Sequence, residues 1–120
     1  MSNVKETLSK LTEIDGFLAA SIVDSNSGMM LGSEGGGPIN LEVAAAGNTE
    51  VVRAKRKTIK NLNLKDQIED ILITLGLQYH LIRPLISNEA LFIYLVLDKG
   101  RSNLALARHF LSVAEKDLVV

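Results

Sequence analysis

Five basic side chains fall close together at Arg53, Lys55, Arg56, Lys57 and Lys60. Such a run can attract an acidic protein surface, nucleic-acid phosphates or anionic headgroups. Nucleic acid is the weaker of these, because no aromatic stacking platform accompanies the charge. Two readings remain: the solvated face of an amphipathic helix, or a docking surface in which Arg53, Arg56, Lys57 and Lys60 meet an acidic partner. The stretch Gly32, Ser33, Glu34, Gly35, Gly36, Gly37, Pro38 offers backbone amides that could cradle an anion. It lacks the Gly-Lys-Ser/Thr ending of a phosphate loop and reads instead as a mobile connector ahead of a helix. His80 and His109 are the only histidines, and neither has a partner at metal-ligand spacing. Both read as face or surface residues. Asp66, Glu69 and Asp70 could be imagined as an acid–base pair, yet no nucleophile accompanies them, so they read as solvated carboxylates leading into a strand. Cysteine is absent, which removes thiolate chemistry and disulfides and fits a reducing compartment. The expectation is no catalytic residue, no cofactor and no metal.

The elements that must position these groups follow from hydrophobic period. Val4, Leu8, Leu11 and Ile14 recur at helical spacing, with Asn3 and Glu6 as a capping pair, so a short helix is expected from about Asn3 to Glu13. Asp15 and Gly16 break it. Phe17 to Val23 and Leu91 to Leu97 are almost unbroken apolar runs of strand length, expected in the middle of a sheet covered on both faces. A turn at Asp24–Gly28 leads to a short returning strand at Met29, Met30 and Leu31. From about Asn40 to Asn61 the pattern is helical. Val43, Ala44, Gly47, Val51, Ala54, Thr58 and Leu62 share its apolar arc, and Arg53, Arg56, Lys57 and Lys60 share another. Ile71 to Leu75 and Leu77 to Ile82 alternate on either side of Gly76, and Pro84 stops the second run. Ser102 or Asn103 caps a last helix, with Leu104, Ala107, Phe110, Leu111, Ala114 and Leu118 on one face and Arg108, Ser112, Glu115 and Lys116 on the other.

With 47% apolar and 22% charged residues over 120 positions, the chain has the makings of a packed core and reads as one domain, 1–120. A net charge of −1 gives the whole molecule no reason to seek nucleic acid or a membrane. The start of the chain has no secretory-signal pattern, and the longest apolar run, Leu91 to Leu97, is far shorter than the ~20 residues of a spanning helix. A cytoplasmic protein with no membrane insertion is expected. The order helix, strand, strand, helix, three strands, helix implies an α+β sandwich with helices on both sides of the sheet. Ile71 to Leu75 must lie at one end of a three-strand meander, where unpaired backbone invites another chain.

This order resembles the Roadblock family. The resemblance is carried by Leu8, Leu11, Ile14, Asp15 and Gly16, then Ile22, Val23, Asp24 and Gly28. Asp70-Ile71-Leu72-Ile73-Thr74, Tyr79-His80-Leu81-Ile82-Arg83, Leu91 to Leu97 and Asn103-Leu104-Ala105-Leu106-Ala107-Arg108 are similar to bacterial members. It implies a five-stranded antiparallel sheet with one helix on one face and two on the other, a shape shared with longin and profilin-like domains. It further implies dimers, with itself or a paralogue, in which edge strands and middle helices pair; here that would use Ala44, Gly47, Val51, Ile71, Leu72 and Ile73. The implied activity is non-enzymatic regulation or anchoring of a Ras-like GTPase, as in the bacterial gliding-motility regulators. A rival expectation is a longin or profilin-like sensor that binds a small ligand.

Overall fold

The architecture is decided by Leu91–Asp98 (β5), whose side chains are buried on both faces down to Leu97. Alternation sends Leu91, Ile93, Leu95 and Leu97 into one core and Phe92, Tyr94 and Val96 into another. The computed structural model describes residues 2–120. Around β5 it sets α1 (Val4–Leu11), β1 (Phe17–Asp24), β2 (Met29–Gly35), α2 (Leu41–Asn61), β3 (Ile71–Thr74), β4 (Gln78–Pro84) and α3 (Leu104–Asp117), with one 3-10 turn at Lys99–Arg101 before α3.

The sheet runs β2-β1-β5-β4-β3, antiparallel at every pair. The two apolar runs, β1 and β5, thus sit side by side in the interior, and β2 and the four-residue β3 form the edges. On one face α1 and α3 close the larger core with Leu8, Leu11, Ala107, Leu111, Ala114 and Leu118. On the other, α2 closes the smaller core with Leu41, Ala45 and Val52. This is the α+β arrangement expected, one helix on one face and two on the other.

Four local expectations need correction. The returning strand does not stop at Leu31 but continues to Gly35, so half of the supposed mobile loop is sheet. Gly32 lies where α1 crosses β2: a Cβ there would meet Leu8 Cδ1 and Val4 Cγ1 at 3.0 Å each, and its absence lets the helix settle onto the strand. Gly35 ends the strand at φ +69°, a left-handed conformation that glycine adopts without strain. Second, Asn3 does not cap α1 with its side chain. It holds the far end of the chain instead, donating from Nδ2 to Asp117 O at 2.8 Å and accepting from Val119 N at 2.6 Å. Third, Phe110 is not in the core but 48% exposed. Glu115, expected on the solvent face of α3, is 2% exposed.

The fourth concerns α2. Its sheet-facing row is Leu41, Ala45, Thr49 and Val52, whereas Val43, Gly47, Val51, Ala54, Thr58 and Leu62 of the expected apolar arc are exposed. Asn40 caps the helix, its Oδ1 accepting from Val43 N at 3.1 Å. Thr49 tolerates burial because its hydroxyl donates to Ala45 O at 2.7 Å. The helix carries two apolar stripes, and the sheet takes only one.

Candidate functional site

On α2 the basic run divides into two functions. Arg53 Nη2 donates to the carbonyls of Ser25 and Asn26, at 2.5 and 2.8 Å, and Arg56 Nη2 donates to Glu89 O at 2.6 Å. These guanidiniums bind the helix to the β1–β2 turn and to the β4–β5 turn. The two turns are themselves joined where Ser25 donates from N and Oγ to Ala90 O, at 2.6 and 2.7 Å. Lys55, Lys57 and Lys60 are exposed and form no salt bridge with another described residue. Within the expected docking set, Arg53 and Arg56 therefore have structural partners, and Lys57 and Lys60 present free ammonium groups to solvent.

The other side of α2 faces the β3 edge. Val51, Lys55 and Ile59 line a cleft whose far wall is Gln67 to Ile71. Ile71 and Ile73 pack on the α2-side core, while Leu72 points through the sheet to the opposite one. All three are half-buried. Of the six residues expected at a dimer contact, Ala44, Gly47, Val51, Ile71 and Ile73 are thus carried on one face of the molecule, and Leu72 on the other. α2 approaches β1 and β2 most closely, so the β3–β4 half of this face, with Ile71, Ile73, Gln78 and His80, keeps partial exposure.

Under that face runs a polar chain that sequence reasoning missed. His80 Nε2 lies 2.9 Å from Gln78 Oε1, and Nδ1 lies 3.0 Å from the Tyr94 hydroxyl. Gln78 Oε1 can only accept, so Nε2 carries the proton and Tyr94 donates to Nδ1. Asn48 of α2 lies close to the same hydroxyl. The His80 and Tyr94 rings meet edge to face, centroids 5.5 Å apart. Burial lowers the His80 pKa below its ordinary 6.5. Burial raises that of Tyr94, against a smaller opposing pull from the Asn48 side chain. Both shifts favour the uncharged forms. His109, by contrast, lies exposed on α3 as expected.

The carboxylates also have partners. Arg108 grips Asp70 with two bonds, Nε to Oδ2 at 3.1 Å and Nη2 to Oδ1 at 2.9 Å. Arg83 of β4 donates from Nε to Glu115 Oε1 at 3.1 Å and from Nη2 to Ser112 Oγ at 3.3 Å, and its Nη1 lies 3.9 Å from Asp70. Glu115 Oε2 accepts from Ile86 N at 3.4 Å. The expectation of a solvated Asp70 is corrected: it links α3 to the start of β3. The one signal available in sequence was an Arg directly after the apolar pair Leu81 and Ile82 near the end of β4.

Among the described residues no cluster of His, Asp and Glu could hold a metal. The amide of Gly36 is engaged by Leu18 O at 3.0 Å, and Gly36 O accepts from Ile39 N at 2.7 Å. That segment is a tight turn into α2, as a connector should be. No helix among the described residues is long and apolar enough to cross a membrane.

The fold itself has close counterparts. MglB from Myxococcus xanthus superposes with a TM-score of 0.81 at 16% identity, over 95% of this chain and 92% of that one. A Roadblock/LC7 domain from Streptomyces avermitilis superposes with a TM-score of 0.82 at 11% identity, over 96% and 93%. The chain has the Roadblock fold. A structure described as MglB with tetrameric arrangement also matches, with a TM-score of 0.81 at 16% identity, over 94% of this chain and 82% of that one. No protein-family model and no curated protein matches the sequence. The likeness lies in topology and packing, with little residue identity to carry a site across.

Proposed function

We propose that the chain is a cytoplasmic, non-enzymatic Roadblock-type regulator or adaptor that dimerises and binds a Ras-like GTPase. The observation that carries this is the second apolar stripe of α2 beside the open β3 edge. Val51 on the helix and Ile71 on the strand line one cleft, with exposed Gly47 one turn before Val51 and half-buried Ile73 two residues along β3 on the same face. Small residues on α2 allow a second helix to approach closely, and an edge strand offers unpaired amides and carbonyls to another chain. The tetrameric arrangement of a structurally similar MglB supports self-association or pairing with a paralogue. An adaptor role also agrees with a site that offers surface and charge.

For the GTPase, Lys57 and Lys60 are the natural contacts, because both are exposed on α2 and neither forms a salt bridge with another described residue. Attraction of an acidic switch region by such lysines acts mainly on the association rate, and salt screens it over roughly 8 Å at physiological ionic strength. The test is a pull-down of GTPases from native lysate with nucleotide analogues present, followed by stopped-flow association with the captured protein. The Lys57→Glu/Lys60→Glu variant should associate at least about tenfold more slowly at low salt with its thermal stability unchanged. Equal rates for parent and variant at low salt would remove the basic face from the proposal. Failure to capture any GTPase in either nucleotide state would remove the GTPase.

A further inference from the structure

We propose that the groove between α1 and α3, on the face of the sheet opposite α2, docks an amphipathic helix with basic flanks from a partner protein. The α3 row Ala107, Leu111, Ala114 meets the core, yet Leu106, Phe110 and Val113 recur at i, i+4 and i+7 with 46%, 48% and 43% exposure. Phe110 and Val113 of that stripe form one wall of a groove of about 440 Å³ whose other wall is Thr7, Lys10, Leu11 and Ile14 of α1 and the turn after it, and Leu106 lines the adjoining hollow, which shares Glu13, Ile14 and Phe110 with it. A helix laid between two helices buries its apolar stripe against both, with anchors at i, i+3, i+4 and i+7.

Charge selects the occupant. The two helices run antiparallel: Asn3 at the start of α1 is bonded to Asp117 O and Val119 O at the end of α3. Glu13 and Asp15 therefore stand at one end of the groove, beside Asn103, and Asp117 at the other. Lys10 is the lone cation lining it. None of these four groups is in a salt bridge with another described residue. A neutral or acidic helix would desolvate the carboxylates without compensation, whereas lysines or arginines flanking an apolar stripe would pair with them. The 14-residue α3 is about 21 Å long, so an occupant of about three to four turns spans it. A second copy fits less well. Its long basic helix is α2, where Arg53 and Arg56 are already bound to loop carbonyls.

The probe is a fluorescently labelled Leu/Lys helical peptide of about 14 residues, with a Leu/Glu peptide of the same apolar stripe as control. Anisotropy titrations use the full chain, its Phe110→Ser variant, a Glu13→Lys/Asp117→Lys variant and, as a control on the opposite face, Lys57→Glu. The Lys-flanked peptide should bind saturably and lose at least about tenfold in affinity with each groove variant. Lys57→Glu should leave binding unchanged, and the Glu-flanked peptide should not bind. The charge variant keeps the test valid if Phe110→Ser disturbs folding. The proposal is overturned by absent or non-saturable binding, by equal binding of both peptides, or by binding indifferent to the groove variants. It is also overturned if light scattering shows self-association of the parent that Phe110→Ser abolishes, since a second copy then fills the groove. None of these readouts depends on a GTPase or on the α2 face.

Discussion

Glu115 and Arg83 show how a single ion pair can fasten an element. Their side chains are 2% and 7% exposed, so each charge depends on the other, with Ser112 Oγ and Ile86 N taking the remaining hydrogen bonds. Removing Glu115 leaves the buried Arg83 with only its longer, 3.9 Å contact to Asp70, a carboxylate already gripped by Arg108. Glu115→Ala should therefore destabilise the fold by about 3–5 kcal/mol in urea unfolding, while replacing both residues together with Met and Leu should recover most of that loss. A cost under about 1 kcal/mol for Glu115→Ala would mean that water reaches Arg83. His80 makes a second residue-scale prediction. Its unfolded pKa is near 6.5 and its native one is lower. Between the two the unfolded chain binds more protons, so stability rises with pH across that window and falls as the pH drops below about 6.5. Protonated Nδ1 would also confront the hydroxyl hydrogen of Tyr94. His80→Gln should flatten that part of the stability–pH curve, and an unaltered slope would show that His80 titrates like an exposed imidazole.

At the scale of elements, what the sequence reveals depends on how many partners an element has. The β1 and β5 runs are apolar on both faces, so their place at the centre of the sheet could be read directly. The turns at Asp24–Gly28 and Asn103 carry their own local chemistry, and both are found where expected. α2 was harder, because it bears two apolar stripes somewhat less than half a turn apart around the helix and periodicity does not say which one the sheet takes. The sheet took the row with Thr49, whose hydroxyl satisfies itself on the preceding turn, and left the one with Val43 and Val51 outside. The polar face of α3 misled for a related reason: Glu115 reads as solvated until Arg83 arrives from a strand 32 positions away. Such long-range pairing leaves no mark in local spacing. The basic face was half legible, since charge identified it but could not separate Arg53 and Arg56, bound to turns, from Lys57 and Lys60.

For the whole molecule, the question is what covers the patch formed by α2 and the β3 edge. A standard interface removes about 800 Å² from each partner, roughly a tenth of the 7081 Å² this chain exposes. The exposed α2 stripe with the half-covered β3–β4 surface is a region of suitable character, and β3 has only four residues, short enough to stay soluble until it is paired. If two copies meet there, association and folding are linked by mass action, so the melting temperature should climb with protein concentration and light scattering at micromolar concentration should report twice the chain mass. Val51→Glu places a carboxylate on the stripe, where it is exposed in a single chain but would be buried in the dimer. It should therefore raise the dissociation constant by at least about tenfold while leaving the melting temperature of the dilute monomer unchanged. The groove variant Phe110→Ser, on the far side of the sheet, should leave the dimer intact. A parent that scatters as a monomer at every accessible concentration would rule out a homodimer, and the α2 stripe would then belong to a paralogue or to the GTPase itself.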